Sequence, residues 1–416
     1  MDKRLSVAVI SGRVGKSPRE ITRCFVFDEI YRLAGRGIEV HVIRSKMEKE
    51  SMSYGIHFYG IERKIDIQAA ALLLKNIANY PPISFLRNPK RLYWENLYAL
   101  NVSRVIERNN IDLIHAHFAY PEGLVGLLAK RRTGKPLIVT VHGYDINIVP
   151  EIGYGIRLNK KLDILVRMVL KQADAIICVS PELRRKVLKL GVPKEKLFIV
   201  FNGIDLNLYR PPSEKESNEI NDIRRSLGVN EDDFLILNAR HLRPVYGLEY
   251  LIKAARLVTE NIKNVKFIIA GDGPLYKQLH NMVCCLGLEK NVRLIGLVPR
   301  FLMPKLMQAS DIYVNTSLSD GMPPSLLEAI ACGKPVISFD VGGARDIIDN
   351  NINGFLVPVK DYKMLASKII YLLKNPHFMK NMGLKARKKA EDKFDINKRI
   401  DKITSIYEKI MENPNR

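Results

Sequence analysis

The 416-residue sequence has few cysteines, and no two of them form a C-x-x-C pair. Zinc ribbons, thioredoxin-type redox centres and small disulfide frameworks depend on closely spaced cysteines, so the sequence favours none of these classes. The five cysteines lie mostly within apolar runs, and we expect them to be reduced core residues: Cys24, Cys178, Cys284, Cys285 and Cys332.

Long apolar segments are lacking as well. No stretch approaches the roughly 20 consecutive apolar residues that a membrane-spanning helix needs. The first apolar run is interrupted by Gly12 and Arg13, which makes it too short for a secretory signal peptide. We therefore expect a cytoplasmic protein that is either soluble or peripheral on the inner face of the membrane.

Acidic residues are in the minority, because 66 Lys and Arg residues outnumber 44 Asp and Glu residues. The formal net charge is +22 and the isoelectric point is near 9.7. This charge favours anionic partners, namely nucleic acid, phosphorylated substrates or acidic lipid surfaces. No helix-turn-helix, zinc-ligand or RNP-like aromatic pattern accompanies it, so a nucleic-acid-binding protein is the weaker alternative and we expect no nucleic-acid partner.

The stretch SGRVGKSP, residues 11–18, has the composition of a phosphate-binding loop without its spacing. A P-loop requires G-x-x-x-x-G-K-[ST], whereas Gly12 and Gly15 are three positions apart, and no G-x-G-x-x-G fingerprint is present. The pattern still indicates a glycine-permitted turn before a helix whose first N–H groups can face an anion. An ordinary tight turn is the alternative.

Short apolar runs alternate with amphipathic stretches, which is typical of parallel sheets covered by helices on both faces. The first half contains LSVAVI, IEVHVI, IDLIHAH, PLIVTVHG, AIICVS and LFIVFNG, and the second half contains FLILNAR, VKFIIAGDG, VRLIG, DIYVNTS and KPVISFD. The polar segment 210–221 is typical of a linker, and 385–411 of one charged helix. We predict an α/β protein with two doubly wound parallel-sheet domains, residues 1–205 and 206–394, and ligands in a cleft between them.

Two segments combine bases with apolar residues. One lies within 61–104 and contains AAALLLKNIANYPPISFLRNPKRLYW, and the other alternates bases with aliphatic residues over 156–171. Each is consistent with an element that covers the amino-terminal domain. The alternative is a surface that docks on anionic lipid beside a lipid-linked acceptor, the first segment contributing residues 81–94.

The most informative stretch is SLSDGMPPSLLEAIACGKPVI, residues 317–337. Within it, Gly321, Pro323 and Pro324 predict a turn that opens a helix at about Ser325, because proline fits the first helical turn. The free N–H groups at that end can hold phosphate or sugar oxygens. Glu328, one turn into the helix, can accept hydrogen bonds from two vicinal ribose hydroxyls.

This stretch resembles the signature of the retaining, nucleotide-sugar-dependent glycosyltransferases of family four (glycosyl transferases group 1), which have the two-domain GT-B fold. In their motif an acid is followed after seven residues by a glutamate, here Asp320 and Glu328, although the first acid is usually Glu. The stretch HAHFAYPEG, residues 115–123, is similar to one in members that build bacterial surface polysaccharides. The resemblance spans nearly the whole chain and is strongest over 235–345.

The resemblance also implies the site residues. VHGYD places His142 at a strand end near the donor sugar, and Arg240 matches an arginine that grips the diphosphate. Tyr246 stands where the family has a lysine, so Arg243 or the tyrosine hydroxyl would take over that grip. The implied catalytic residues are His142, Arg240 and Asp320. The implied donor-binding residues are Gly12, Gly15, Lys16, Arg243, Tyr246, Gly271, Asp272, Gly273, Gly321, Met322, Pro323, Ser325, Leu326 and Glu328.

The implied activity is that of a retaining hexosyltransferase that moves a sugar from a UDP- or GDP-sugar to a hydroxyl of a glycan or lipid-linked acceptor. It would serve polysaccharide or glycolipid biosynthesis, and the helix from about 395 to 416 would pack on the amino-terminal domain. No cofactor and no metal are expected, because the site lacks an Asp-x-Asp pair to bridge a divalent ion to the diphosphate. A nucleotide-sugar epimerase of the same fold is the alternative, and the acid-x7-glutamate signature disfavours it.

Overall fold

The computed structural model describes residues 4–12, 14–17, 24–45, 49–61, 67–68, 71 and 89–412, with residues 24 and 89 described by their backbone only. The chain forms two compact α/β units. The first comprises Met1–Phe201 and Arg399–Arg416, and the second comprises Asn202–Lys398. Among the described residues, no helix is both long enough and apolar enough to cross a bilayer.

An eight-stranded sheet forms the centre of the first unit. Its strands are β1 (Ser6–Ile10), β2 (Glu39–Ile43), β3 (Ser51–Ser53), β4 (Ile56–Tyr59), β5 (Leu113–His117), β6 (Leu137–Val141), β7 (Ala175–Cys178) and β8 (Leu197–Ile199). Their order is β3-β4-β2-β1-β5-β6-β7-β8, and every neighbouring pair is parallel except β3 with β4. The helices of this unit are Cys24–Gly35, Pro89–Arg108, Glu122–Thr133, Lys160–Gln172, Pro181–Leu188 and, from Arg399 on, most of Ile396–Glu412.

The second unit has a six-stranded, wholly parallel sheet. Its strands are β9 (Phe234–Ala239), β10 (Val265–Ala270), β11 (Val292–Gly296), β12 (Ile312–Asn315), β13 (Val336–Phe339) and β14 (Gly354–Val357), in the order β11-β10-β9-β12-β13-β14. Its helices are Ser217–Ser226, Leu248–Asn261, Tyr276–Cys285, Met303–Ala309, Pro324–Ala331, Ala344–Ile347, Tyr362–Lys374 and Pro376–Lys393.

Burial explains why the central strands have continuous apolar sequences. Every residue of β1, β5 and β6 is buried, so both faces of the first sheet are covered at these positions. In each sheet the strand order reverses beside the first strand, because β1 lies between β2 and β5 and β9 lies between β10 and β12. Loops that leave the carboxyl ends of the strands diverge at such a point, which is where ligands bind in doubly wound sheets.

The predicted α/β class with two parallel sheets is confirmed, and strands β3, β4 and β14 were not predicted. The linker prediction for 210–221 is wrong, because the segment belongs to the second unit and leads into the helix Ser217–Ser226. Glu216 anchors it there by accepting from Arg210 at 2.8 Å and from Lys305 at 2.6 Å. A polar sequence is therefore compatible with a fixed, ion-paired surface element.

The single charged helix predicted over 385–411 is in fact two helices, Pro376–Lys393 and Ile396–Glu412. The break has a clear cause in the backbone. Ile204 donates to the carbonyl of Phe394 at 2.8 Å and accepts from the N–H of Ile396 at 3.1 Å. These two bonds take the place of helical hydrogen bonds, and Phe394 is buried.

The prediction that the cysteines are core residues is correct for Cys178 and Cys332 and wrong for Cys284 and Cys285. The latter two end the helix Tyr276–Cys285, which buries Leu279 and Val283 one turn apart. Cys284 and Cys285 therefore point away from the buried face and are exposed. The side chain of Cys24 lies outside the described residues.

Candidate active site

Two of the predicted site segments meet at the carboxyl end of the second sheet. Arg240 follows β9 directly, and the loop after β12 contains Asp320. Nη2 of Arg240 donates to Oδ2 of Asp320, and Nη1 lies 3.4 Å from Oγ of Ser325. The guanidinium carbon lies 4.1 Å from the ring centroid of Tyr246. We call these four residues the arginine cluster, and they lie where the strand order reverses.

The electrostatics of the arginine cluster favour a permanent cation. The side chains of Arg240 and Asp320 are only 10% and 12% exposed. Burial opposes the charge of Arg240, but the neighbouring Asp320 carboxylate outweighs it and raises the pKa of Arg240 above its usual range. Burial raises the pKa of Asp320, and Arg240 together with the backbone N–H groups of Gly321 and Met322 opposes that shift. The guanidinium is therefore held in place, and its Nε–H has no hydrogen-bond partner among the described residues.

Glycine allows the loop after β10 to pack closely against the backbone of the arginine cluster. A Cβ atom on Gly271 would lie 2.0 Å from the carbonyl oxygen of Arg240, and one on Gly273 would lie 2.5 Å from that of Leu242. Asp272, between them, is exposed, and its carbonyl accepts from the N–H of Leu242 at 3.0 Å. The GDGP loop therefore supports the segment after Arg240.

A second glycine pair, Gly342 and Gly343, was missed by the sequence reasoning. Gly342 has φ +42°, and a Cβ atom there would lie 1.8 Å from the carbonyl oxygen of Asp320. The N–H of Gly343 donates to the carbonyl of Gly321 at 3.0 Å. The signal in the sequence was a Gly-Gly pair three residues after the apolar strand β13, at the same end of the sheet as Arg240 and Asp320.

The helix that follows Asp320 begins at Pro324, where the two prolines predicted a helix start. Pro323 precedes it in extended conformation, and the carbonyl of Met322 accepts from Nδ2 of Asn202 at 3.1 Å. Leu326 is fully buried, and its N–H donates to the carbonyl of Pro323 at 3.2 Å. Glu328, one turn after the helix start at Pro324, is half-buried. Its charge lies near enough to act on the hydroxyl of Tyr313.

The residues expected to replace the family's lysine have different surroundings. The ring of Tyr246 lies against the guanidinium of Arg240, which is a cation–π contact. Arg243 is exposed, and it meets the arginine cluster through its backbone, where its carbonyl accepts from the N–H of Tyr246 at 3.0 Å. The geometry thus assigns Tyr246 to the support of Arg240.

In the first unit, the glycine turn after β1 is held by side chains from three other elements. The N–H of Gly12 donates to Oε1 of Glu122 at 3.1 Å, and its carbonyl accepts from Ser45 at 3.3 Å. Nζ of Lys16 donates to Oγ of Ser51 at 2.7 Å, and Gly15 is buried. The Gly12 N–H already has a carboxylate acceptor, so any anion bound here would use other groups of the turn.

His142 follows β6 in a loop fixed by one buried carboxylate. Asp145 accepts from the N–H groups of His142 at 3.1 Å and Gly143 at 3.0 Å, and from the N–H of Ala119 after β5 at 2.9 Å. Burial raises the pKa of Asp145, and these three N–H groups oppose that shift. The His142 backbone is therefore tied to the ends of two adjacent strands.

The ring of His142 packs against two aromatic rings, with centroids 4.6 Å from Phe118 and 5.0 Å from Phe25. Its Nε2 lies 3.1 Å from Nδ1 of His117, the last residue of β5. His115, two residues earlier, is also buried, because alternate residues of a strand lie on the same face. The sequence reasoning missed this pair, although the H-x-H spacing in IDLIHAH was a signal for it.

His115 and His117 lie beside Glu29 of the helix Cys24–Gly35, and one ligand-type atom from each lies within 4.8 Å of the others. The spacing would suit a metal ion. The carboxylate of Glu29, however, also forms an ion pair with Arg399 at 2.5 Å. A guanidinium on the same carboxylate repels a metal cation, so the arrangement is that of a buried ion-pair network.

Comparison with known proteins gives matches over both units. The family model described as Glycosyl transferases group 1 matches residues 219–389, and the one described as Glycosyltransferase Family 4 matches residues 25–208. An N-acetyl-alpha-D-glucosaminyl L-malate synthase of Bacillus anthracis is 28% identical over 382 residues, which cover 91% of this chain and 90% of that protein. A UDP-Gal:alpha-D-GlcNAc-diphosphoundecaprenol alpha-1,3-galactosyltransferase of Escherichia coli is 28% identical over 331 residues, covering 78% and 80%.

A solved structure, Anabaena Alr3699/HepE in complex with UDP and glucose, is similar with a TM-score of 0.76 and 20% identity. The match covers 97% of this chain and 100% of that one. It confirms the predicted fold class, and the family models support a transferase rather than the epimerase alternative.

Proposed function

Because the chain belongs to the glycosyltransferases of family four, with a group 1 domain as its second unit, we propose that it transfers a sugar from a nucleoside-diphosphate sugar to an acceptor hydroxyl. The observation that carries this proposal is the arginine cluster. A buried guanidinium is held by Asp320 and Tyr246 at the strand-order reversal, beside the first turn of the helix Pro324–Ala331.

The proposed catalytic role of Arg240 follows from where charge develops during transfer. As the glycosidic bond to the diphosphate breaks, negative charge grows on the leaving phosphate. A cation that is already oriented stabilises this charge without reorganisation, which is the largest contribution in many enzymes. The N–H groups opening the helix Pro324–Ala331 would add to it.

We propose that the sugar keeps its anomeric configuration. Retention can arise by double displacement or by attack on the same face as the leaving group. Double displacement would need a carboxylate nucleophile at the sugar, and Asp320 is instead paired with Arg240. The leaving phosphate would then take the proton from the acceptor hydroxyl on the same face. Under this proposal no divalent ion is required, and activity should persist in EDTA.

The names of two similar proteins support UDP-sugars as the first donors to test. The Escherichia coli relative is named for UDP-Gal as donor and for a diphosphoundecaprenol-linked GlcNAc as acceptor. The Anabaena protein was solved with UDP and glucose. We therefore propose a UDP-sugar, with a GDP-sugar as alternative, and a glycan or lipid-linked acceptor in polysaccharide or glycolipid synthesis.

The deciding experiment is a panel of UDP-, GDP- and ADP-sugars tested for thermal stabilisation and then for transfer. A ligand at 100 times its Kd stabilises the folded state by about 2.7 kcal/mol. We expect one nucleotide class to raise the melting temperature of the wild type and to do so less in Glu328→Ala. No shift with any nucleotide sugar would contradict the proposal, and loss of transfer in EDTA with recovery in manganese would contradict metal independence.

We further propose that the protein works in the cytoplasm at the inner membrane surface, where a lipid-linked acceptor would be available. The helix Lys160–Gln172 buries its apolar residues against the first unit, namely Leu165, Val166, Val169 and Leu170. This supports the covering role for the segment, with Lys160 and Lys171 exposed to meet anionic lipid. Most of the other candidate surface, residues 81–88, lies outside the described residues.

A further inference from the structure

A line of contacting ionisable groups, Arg399, Glu29 and His117, leads to His142. The proposed transfer does not by itself require this line. It begins at Arg399, whose Nε and Nη2 donate to Oε2 of Glu29 at 2.9 and 2.5 Å. Nη1 of Arg399 donates to the carbonyls of Val200 at 3.0 Å and Phe201 at 2.8 Å. Both charged side chains are buried, so Oε2 of Glu29 faces a cation whose position is fixed.

Glu29 is therefore an ionised carboxylate in the interior. Burial alone would raise the pKa of Glu29, but the charge of Arg399, assisted by two histidines, outweighs it and lowers the pKa to about 2. With Oε2 occupied by Arg399, the other oxygen, Oε1, faces Nε2 of His117 at 3.4 Å and Nδ1 of His115 at 3.9 Å.

His115 also faces Oε1 of Glu29, but its two ring nitrogens are held by hydroxyl groups. Its Nδ1 lies 2.6 Å from the hydroxyl of Tyr407 and its Nε2 lies 2.7 Å from that of Thr140. Burial lowers the pKa of His115 to about 4, so the ring is neutral at physiological pH. Burial also raises the pKa of Tyr407 well above its usual range, which keeps the phenol protonated. His117 is thus the histidine that connects Glu29 to His142.

We propose that Glu29 and His117 are positioning residues that set the tautomer of His142. The negative Oε1 favours a proton on Nε2 of His117, which leaves Nδ1 of His117 with a lone pair. That lone pair lies 3.1 Å from Nε2 of His142, and two lone pairs would repel at this distance. Nε2 of His142 therefore carries the proton, and Nδ1 of His142 is the acceptor nitrogen of the ring.

This inference deepens the proposed function, on which the role of His142 in transfer rests, but the tautomer itself does not depend on any reaction. Nitrogen-15 NMR of protein labelled at histidine distinguishes protonated from unprotonated ring nitrogens. We expect protonated Nε2 and unprotonated Nδ1 in both His117 and His142 of the wild type at pH 7.5. A proton on Nδ1 of either ring would overturn the proposal.

The variant Glu29→Gln should move the ring proton from Nε2 to Nδ1 in both His117 and His142. Arg399 has only donors, so the amide oxygen must accept from it, and the amide N–H group then faces Nε2 of His117. That nitrogen has to accept, the His117 proton moves to Nδ1, and the His142 proton moves to Nδ1 in turn. Unchanged tautomers in a folded Glu29→Gln protein would contradict the proposal that Glu29 and His117 set the tautomer of His142. If the variant does not fold, the wild-type spectrum remains decisive.

The matched control is Tyr407→Phe, which removes a hydroxyl from His115 and leaves the Glu29–His117–His142 line intact. We expect wild-type tautomers at His117 and His142 in this variant. In transfer assays, Glu29→Gln should lower kcat about ten- to hundredfold with unchanged affinity for the nucleoside diphosphate, since misorientation of a reacting group costs up to about 10²-fold. A normal kcat with inverted tautomers would refute the catalytic consequence.

Failure of the proposal that Glu29 and His117 set the tautomer of His142 is distinguishable from failure of the proposed function. If the tautomers are as expected but no sugar nucleotide is a donor, the transfer proposal fails while the positioning of His142 stands. If transfer occurs and Nδ1 of His142 carries the proton in the wild type, the tautomer proposal fails while the transfer proposal stands.

Discussion

At the scale of single residues, the neighbours of Arg240 determine how its guanidinium is oriented in the second unit. Tyr246, at the position where the resemblance implies a lysine, places its ring against Arg240. Asp320 holds the guanidinium from another side. The arginine cluster therefore contains a single cation, oriented by an aromatic face and a carboxylate.

The ring of Tyr246, rather than its hydroxyl, should be what matters. Tyr246→Phe keeps the face that packs on the guanidinium, so we expect kcat within about twofold of the wild type. Tyr246→Ala removes a contact worth roughly 1–2 kcal/mol and should lower kcat about tenfold. Transfer kinetics with saturating donor measure both. A large loss in Tyr246→Phe would instead indicate that the hydroxyl binds the donor directly.

The two ends of the donor should respond differently to substitution. Arg240→Ala should lower kcat about a hundredfold, corresponding to about 3 kcal/mol, because its charge opposes one that grows in the transition state. Glu328→Ala should mainly weaken binding of the nucleoside diphosphate, since a ribose contact changes little during reaction. His142→Ala should slow transfer and leave that binding nearly intact.

Calorimetry with the nucleoside diphosphate, together with transfer kinetics, separates these three outcomes. The control is Arg225→Ala, a surface arginine of the helix Ser217–Ser226 whose side chain is 67% exposed. It should change neither quantity. Unchanged nucleotide affinity in Glu328→Ala would mean that the donor site lies elsewhere.

At the scale of elements, the candidate site depends on loops that approach each other too closely for any side chain. Gly271 and Gly273 lie against the backbone that follows Arg240, while Gly342 and Gly343 lie against that of Asp320 and Gly321. These contacts join loops that follow four different strands, β9, β10, β12 and β13. Their effect is to hold the arginine cluster at one fixed geometry.

Gly342→Ala should therefore harm both stability and binding. Its positive φ alone costs about 1–2 kcal/mol with a Cβ atom, and the collision with the Asp320 carbonyl adds about 1–3 kcal/mol. Gly287→Ala is the matched control, because φ is +64° there and no atom lies within 4 Å of the added Cβ. Urea unfolding gives both free energies. Equal losses would show that the close approach to Asp320 is dispensable.

At the scale of the whole molecule, the buried histidines make the first unit sensitive to acid. His115 has a pKa of about 4 in the folded state and 6.5 ordinarily, so the unfolded chain binds more protons between these values. The free energy of unfolding then decreases as the pH falls through this window, by about 2 kcal/mol at pH 5. Glu29, with a pKa of about 2, adds a further loss only below about pH 4.5.

The only tryptophan, Trp94, lies in the first unit, so its fluorescence reports the unfolding of that unit. Urea titrations at pH 7.5 and pH 5 should show the loss in the wild type. A His115→Gln variant should show a flatter pH dependence, whereas His377→Gln, at an exposed position of the second unit, should not. An unchanged slope in His115→Gln would place the acid sensitivity in another group.

The net charge of +22 gives a further test at this scale. We expect sedimentation with vesicles that contain acidic lipid, decreasing as salt rises, and no sedimentation with neutral vesicles. Replacing Lys160 and Lys171 by Gln should weaken it, while replacing two exposed lysines of the second unit, Lys277 and Lys363, should not. Indifference to both vesicle types would refute the proposed membrane location.

The sequence alone determined the α/β class and the position of most strands, because strands covered on both faces must be apolar along their whole length. Proline also placed the helix start within one residue of the observed Pro324, because it restricts the backbone locally, whereas Arg240 and Asp320 were implied by the resemblance to glycosyl transferases group 1. The sequence reasoning failed for β3 and β4, at one edge of the first sheet, and for the charged segment at 210–221. In such segments, ion pairs and edge pairing decide the structure more than hydrophobicity does.

Only the tertiary structure decided the contacts between residues distant in sequence. The ring of Tyr246 against Arg240, the approach of Gly342 to Asp320 and the line from Arg399 through Glu29 to His142 each join separate loops or helices. Glu29 and Arg399 are 370 positions apart, and nothing in the local pattern of either indicates the other. Local sequence sets which backbone is possible, whereas a buried charge acquires its partner and its pKa only when the sheets and helices pack.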